Sequence, residues 1–252
     1  MLTPYTIKDL YALALAEGEG MGTAYEYYAK RRALEPWLAG RTRPQTMLIA
    51  GLPERYGLSL DFLLLASELG AAVTVIDERP ATFERLLAAR EDLLRDGLFR
   101  LVEPRTVLVA DMTQPEEAGS GFDLVVSSEV LQRLSPSARH QYVTALQARG
   151  DAVALFAPNA DNAAHTNRSG LGGLHLVELR ALAGGRSTSD YIDMPPFPPG
   201  ITRSDDQREQ ATTGAFEQMV MWGLGQYARR EHWLPDGVRR TQSHIVYALT
   251  PA

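Results

Sequence analysis

MLIAG (47–51), AAVTVID (71–77), TVLVAD (106–111), FDLVVSS (122–128) and DAVALFAPN (151–159) are five apolar runs of one form, and their reading decides the fold. Each is too short for a helix, lacks polar alternation, and closes on glycine, an acid, serine or asparagine. Runs that are apolar on both faces suit the strands of a parallel sheet with helices packed on either side. Helical patterns lie between them. Residues 59–69 place Leu60, Leu63, Leu64 and Leu65 behind Ser59 as N-cap, and residues 81–95 place Phe83, Leu86, Leu87 and Leu94 on one stripe. Residues 135–149 open with Ser135 as N-cap and Pro136 at the first helical position, and stop at Gly150. Strand alternating with helix over residues 47–159 predicts a Rossmann-like, doubly wound α/β fold whose sheet is mostly parallel, with helices on both faces. Right-handed crossovers then carry the strand C-termini to one edge, where ligands bind in such sheets.

Outward from this core the rhythm changes. Toward the N-terminus, Ile7, Leu10, Tyr11 and Leu15 recur at helical spacing until Gly18, Gly20 and Gly22. A second helix is predicted from Thr23 as N-cap, with Glu26 completing a capping box. Toward the C-terminus, GLHLVELRAL reads as a helix, STSDYID as a strand, residues 205–231 as helical and SHIVYALT (243–250) as the last strand. The proline cluster MPPFPPG (194–200) cannot lie inside a sheet. Residues 1–44 are therefore expected to form a helical preface and 45–252 the main domain. Residues 194–235 then form a substrate-side insertion before the last strand.

Composition narrows the function classes. The 252 residues carry a formal net charge of −6, which argues against a nucleic-acid partner, and no apolar run is long enough to span a membrane. Cysteine is absent, which removes thiolate nucleophiles and soft metal sites and fits a cytoplasmic location. The five histidines show no metal-ligand spacing, and no metal site is predicted. A homodimer is possible, and the oligomeric state stays open.

Gly51, Asp77, Asp111 and Ser127 with Ser128 and Glu129 fall where the predicted strands end. An acid ending the second strand can accept both ribose hydroxyls of an adenosine-type ligand. An acid after the third can take an adenine amino group while Met112 covers the ring. For either acid alone the plainer reading, a helix cap or a loop residue, prevails. Two of them on successive strands behind a glycine turn favour a site.

The ordered segments LIAG, VTVIDERP, VLVADMTQP, FDLVVSSEVLQRLSP and AVALFAPN resemble the class I S-adenosylmethionine-dependent methyltransferases. They are most similar to the small-molecule, type 11-like branch, whose fourth strand leads into a VLxHL-type helix; here it is SSEVLQRL. The resemblance covers about residues 45–185. It implies a seven-stranded sheet, S-adenosylmethionine as cofactor and a small-molecule acceptor as the partner. Carried over, Gly51 and Leu52 hold the methionine moiety, Asp77 and Glu78 the ribose, Asp111 and Met112 the adenine, and Ser127 lines the sulfonium side.

The chain departs from the family's first motif, an acid followed by x-Gly-x-Gly-x-Gly. Ile49 stands in the acid's place and the loop reads GLPERYG. Pro53 removes an amide and Glu54 adds a negative charge, so the loop disfavours a dinucleotide pyrophosphate and an NAD-dependent oxidoreductase. Glu54 is read either as the replacement partner of the methionine ammonium or as a solvated acid. The candidate proton acceptors are Glu129 and His165, the latter with an unperturbed pKa near neutrality. The resemblance implies that residues 1–44 are a helical lid over the cofactor, where Tyr25, Tyr27 and Tyr28 fit either a cofactor contact or helix packing. Met219, Met221 and Trp222 fit core or an acceptor pocket. A non-catalytic protein of the same fold is the rival to an active methyltransferase.

Overall fold

A computed structural model describes residues 2–54, 57–97, 99–170, 172–184, 186–196 and 215–250. The apolar runs become β1 (Thr46–Ala50), β2 (Ala72–Asp77), β3 (Arg105–Leu108), β4 (Leu124–Ser128) and β5 (Val153–Pro158). With β6 (Thr188–Ile192) and β7 (Ile245–Leu249) they form one seven-stranded sheet in the order 3-2-1-4-5-7-6. β7 runs antiparallel to both β5 and β6, and the pairs among β1 to β5 are parallel. Because β1 pairs with β2 on one side and β4 on the other, the chain reverses its winding there. That places the crevice of a doubly wound sheet at the end of β1.

Alternation along each strand sends Met47, Ile49, Val75, Val126 and Phe156 to one face and Leu48, Ala50, Ile76, Val125 and Leu155 to the other. The first face is covered by α1 (Ile7–Ala16), α2 (Met21–Ala39), α3 (Leu60–Leu69) and α4 (Pro80–Arg95). The second is covered by α5 (Pro136–Gln147), followed after α6 (Ala163–Ser169) by α7 (Leu176–Ala183). Later helices are α8 (Ala215–Ala228), which joins the first face, and α9 (Asp236–Gln242). Both faces are dry, which is why the strands read as continuous apolar runs. α1 and α2 bury Leu10, Leu13, Tyr25 and Leu34 in the core that also holds β1 and β4.

Local signals gave mixed results. Ser135 accepts from the Ala138 N–H and Pro136 opens α5, as expected. β3 ends at Leu108, so Asp111 lies in the following loop; β3 is an edge strand, paired only with β2 and half-exposed. α2 starts at Met21 behind Gly20, so Thr23 and Glu26 lie inside the helix and form no capping box. Ser59 does precede α3, but its φ of 63° is left-handed and its side chain caps nothing. A carboxylate from α1's end holds that terminus instead. Met221 is buried in the core, whereas Met219 and Trp222 on the same helix are 61% and 68% exposed, so those two are not core residues. Residues 197–214, which include much of the proline cluster and the start of the helical stretch predicted from 205, lie outside the described residues. Among the described residues no helix is long and apolar enough to cross a membrane.

Candidate functional site

At the end of β1 the chain turns through Gly51, whose φ is 80° and whose N–H donates to the Ile76 carbonyl (2.8 Å). A Cβ there would stand 2.5 Å from Val130 Cγ2 and 3.1 Å from Met112 Cε. Glycine is required both by the left-handed turn and by this close packing. The structure thus brings Gly51 and Met112 together, with Val130 as a third member.

Asp77, at the end of β2, is fully buried. Its Oδ2 accepts from the Leu52 N–H (2.8 Å) and Arg79 Nη2 (2.8 Å), and its Oδ1 from the Arg79 N–H (2.9 Å) and Arg79 Nε (2.8 Å). Arg79 Nη2 also donates to the Leu52 carbonyl (2.7 Å), and Arg133 Nη2 lies 3.7 Å from Oδ2. Burial alone would raise this carboxyl's pKa; the Arg79 and Leu52 hydrogen bonds and the two guanidinium charges bring it below the ordinary range. Arg79 and Arg133 were not singled out from the sequence. An arginine two residues past a strand-ending acid reads as surface, although that spacing is what allows it to fold back onto the acid.

The other expected contacts are dispersed. Asp111 is exposed and its Oδ1 accepts from the Thr113 N–H (2.7 Å) and hydroxyl (2.8 Å), a local turn that lowers its pKa. Glu78 is half-exposed, with Arg133 Nη1 3.9 Å away. Glu54 is exposed and acts electrostatically on Arg79. The Ser127 hydroxyl bonds the Tyr142 hydroxyl (2.8 Å), which donates to the Ala50 carbonyl (2.6 Å), so Ser127 ties β4 to β1 and α5.

The loop from Gly51 to α3 is held from outside by the N-terminal helices. Glu17, just past α1, accepts from the Leu58 N–H (2.9 Å), the Leu60 N–H (2.9 Å) and the Tyr27 hydroxyl. Burial pushes its carboxyl up to about 8 despite these donors. An acid therefore does sit at this loop, but it is supplied by α1 and not by β1.

A second polar group gathers beyond the ends of β4 to β6. Glu129 follows β4 with a left-handed φ of 56°, and its N–H donates to the Phe156 carbonyl (3.0 Å). Its carboxyl is buried beside Glu26 and Lys30 of α2 and Asp193, and burial followed by Glu26 raises its pKa well above the carboxylate range. Asp193 follows β6 and its Oδ2 lies 3.2 Å from Nδ1 of His244, the residue just before β7. His244 in turn stacks on His165, ring centroids 4.2 Å apart. Burial and the neighbouring His244 lower His165 to about 4. His244 is raised, because Asp193 outweighs the effect of burial. Glu231 accepts from the Asp193 N–H (3.2 Å), the Met194 N–H (3.2 Å) and the Tyr25 hydroxyl (2.7 Å). Glu129 and His165 thus meet at one edge, with His165 on α6 and not in a loop. His244 and Asp193 were not singled out from the sequence; drawing the last strand antiparallel would have brought His244 to that edge.

No protein-family model matches the chain, and no curated protein matches it. Solved structures do. The methyltransferase domain of bacterial CtHen1-CN is 14% identical with a TM-score of 0.51, covering 89% of this chain and 98% of that one. The magnesium protoporphyrin IX methyltransferase of Synechocystis PCC 6803, solved with bound S-adenosylhomocysteine, is 13% identical with a TM-score of 0.50, covering 91% and 85%. At these identities the likeness concerns the fold alone: a seven-stranded, Rossmann-like α/β sheet of the kind these two methyltransferases have.

Proposed function

We propose that the chain is an S-adenosylmethionine-dependent methyltransferase acting on a small-molecule acceptor. The observation that carries this reading is the pairing, at the switch point, of a glycine turn with a buried acid whose carboxylate is oriented by the Leu52 and Arg79 backbone N–H groups. Such a preset carboxylate suits a ribose diol, and a neighbouring glycine with Met112 behind it suits the adenosine that follows. The residues fit the cofactor's adenosine once the Arg79 side chain yields its place. Asp77, Leu52, Gly51 and Met112 would hold it, with Glu78 and Asp111 at its margin. Glu54 and Ser127, expected near the methionine end, have no contact that supports that role here.

S-adenosylmethionine supplies an activated methyl group on a sulfonium, so the protein's part is to orient the acceptor, exclude water and take any proton the acceptor loses. Burial, followed by Glu26, raises the pKa of Glu129 and favours its protonated form, which suits donation better than acceptance. His165 is neutral but weakly basic. His244, oriented by Asp193, is the stronger base on this edge and takes the proton in our reading.

Calorimetric titration with S-adenosylmethionine, S-adenosylhomocysteine and NAD tests the proposal. The first two are expected to bind and NAD is not. Asp77→Ala is expected to weaken binding about 100-fold, since a buried charged acceptor facing two hydroxyls is lost. No binding of either sulfur ligand would refute the proposal. A second reading, a non-catalytic protein of this fold, is favoured by the contacts of Arg79 on Asp77 and of Val130 on Gly51.

A further inference from the structure

Asp77 offers about four lone-pair positions on its two oxygens, and all four are taken. Two are taken by backbone N–H groups, one on each oxygen, and these fix the plane of the carboxylate. Leu52 lies in the turn after β1, and Arg79 is the N-cap residue of α4, followed by Pro80 at its first position. Arg79's backbone is fixed by the start of α4, and Leu52 is two residues past the end of β1. The other two positions, again one on each oxygen, are taken by Nε and Nη2 of the Arg79 side chain.

The Arg79 fork therefore presents to Asp77 what a ribose diol presents: two adjacent donors, one for each oxygen. Fork and diol cannot occupy the carboxylate together. The side chain is 27% exposed, so it borders solvent and can swing out. Glu54 and Glu78 flank it with negative charge and give the released guanidinium somewhere to rest. Arg133 is placed differently. It is 12% exposed, its Nε and Nη2 make no hydrogen bond, and it touches Asp77 only at 3.7 Å.

We propose that Arg79 is an internal latch on the ribose subsite, occupying Asp77 in the free protein and displaced by the adenosine ligand. This rests on the reading of the switch point as a cofactor site. The latch lowers apparent affinity by the fraction of molecules in which it is open. A chain so built responds only to ligands that carry both ribose hydroxyls, because a ligand with one cannot replace both donors of the fork.

S-adenosylhomocysteine titrated calorimetrically into wild type, Arg79→Ala, Arg79→Lys, Asp77→Asn and the Asp77→Asn/Arg79→Ala double variant decides the matter. Arg79→Ala is expected to bind about tenfold more tightly than wild type, and Arg79→Lys, which cannot form the fork, to fall between. On the Asp77→Asn background, where the ion pair is already gone, removing Arg79 should change affinity less than twofold. Equal or weaker binding by Arg79→Ala, with wild type binding normally, would overturn the latch and leave the cofactor reading standing. Binding to none of the five proteins would overturn the cofactor reading and the latch with it.

Discussion

Replacing Glu17 by alanine is expected to cost about 3–5 kcal/mol of stability, measured by urea unfolding at pH 5. The side chain is buried and three donors converge on it: the Leu58 and Leu60 N–H groups and the Tyr27 hydroxyl. Truncation leaves all three without a partner, and each buried unpaired group costs about 1–3 kcal/mol, not additively. Glu17→Gln keeps an acceptor and should cost about 1 kcal/mol at that pH. The pH dependence is the sharper test. The folded-state pKa is raised by burial to about 8, above the ordinary 4.5, so the native state binds the extra proton between those values. Stability from this group is then complete below about pH 4.5 and is lost as pH rises toward 8. The glutamine variant has no such loss. Between pH 5 and 8 the stability of Glu17→Gln relative to wild type should therefore rise by about 2–4 kcal/mol. A difference that stayed constant with pH would mean that Glu17 is ionised in the native protein throughout.

Lys30→Met is expected to be comparably damaging, for the opposite reason. Lys30 is buried, its ammonium contacts Glu26, and Asp61 and Glu129 face it. Burial would lower its pKa, but these acids more than offset that and hold it charged. Rings of Phe62 and Phe156 stand 5.6 and 5.8 Å from the nitrogen, so methionine fits the space. Removing the cation strands the acids, and breaking a buried pair from one side costs about 3–5 kcal/mol. The cost should be greatest near pH 8 and smaller near pH 5, because Asp61, already pushed to about 7 by burial, then takes a proton in place of the lysine. Urea unfolding of both proteins at the two pH values measures this. A loss under 1 kcal/mol at pH 8 would show that the acids are neutral with Lys30 present.

These two residues also mark where the sequence stops being readable. The sheet was legible because a strand buried on both faces carries its signature within five or six residues: MLIA, VTVI and VALF need no partner to be recognised. Gly51 and Asp77 were legible for the same reason, since each closes such a run. Glu17 caps a helix that begins 43 residues later, a relation no local pattern contains. Glu26 was expected to cap its own helix, and instead meets Lys30 one turn on. Arg79 hid in plain view, because its role depends on which way a side chain folds over its neighbour. His244 depends on the direction of β7, and strand direction is a property of the whole sheet.

The order 5-7-6 has a consequence for how the protein comes into being. β6 touches the sheet only through β7, and β7 is the last element of the described chain. During synthesis the glycine turn, Asp77 and the residues packed on them, up to Arg133, all emerge before β7. Asp193 and His244 have no frame to stand in until β7 slides between β5 and an orphan strand. The half of the proposed site that would receive an adenosine can form early, whereas the half that would face an acceptor is completed by the final insertion, so a nascent chain stalled before β7 has Gly51 and Asp77 in place and lacks His244.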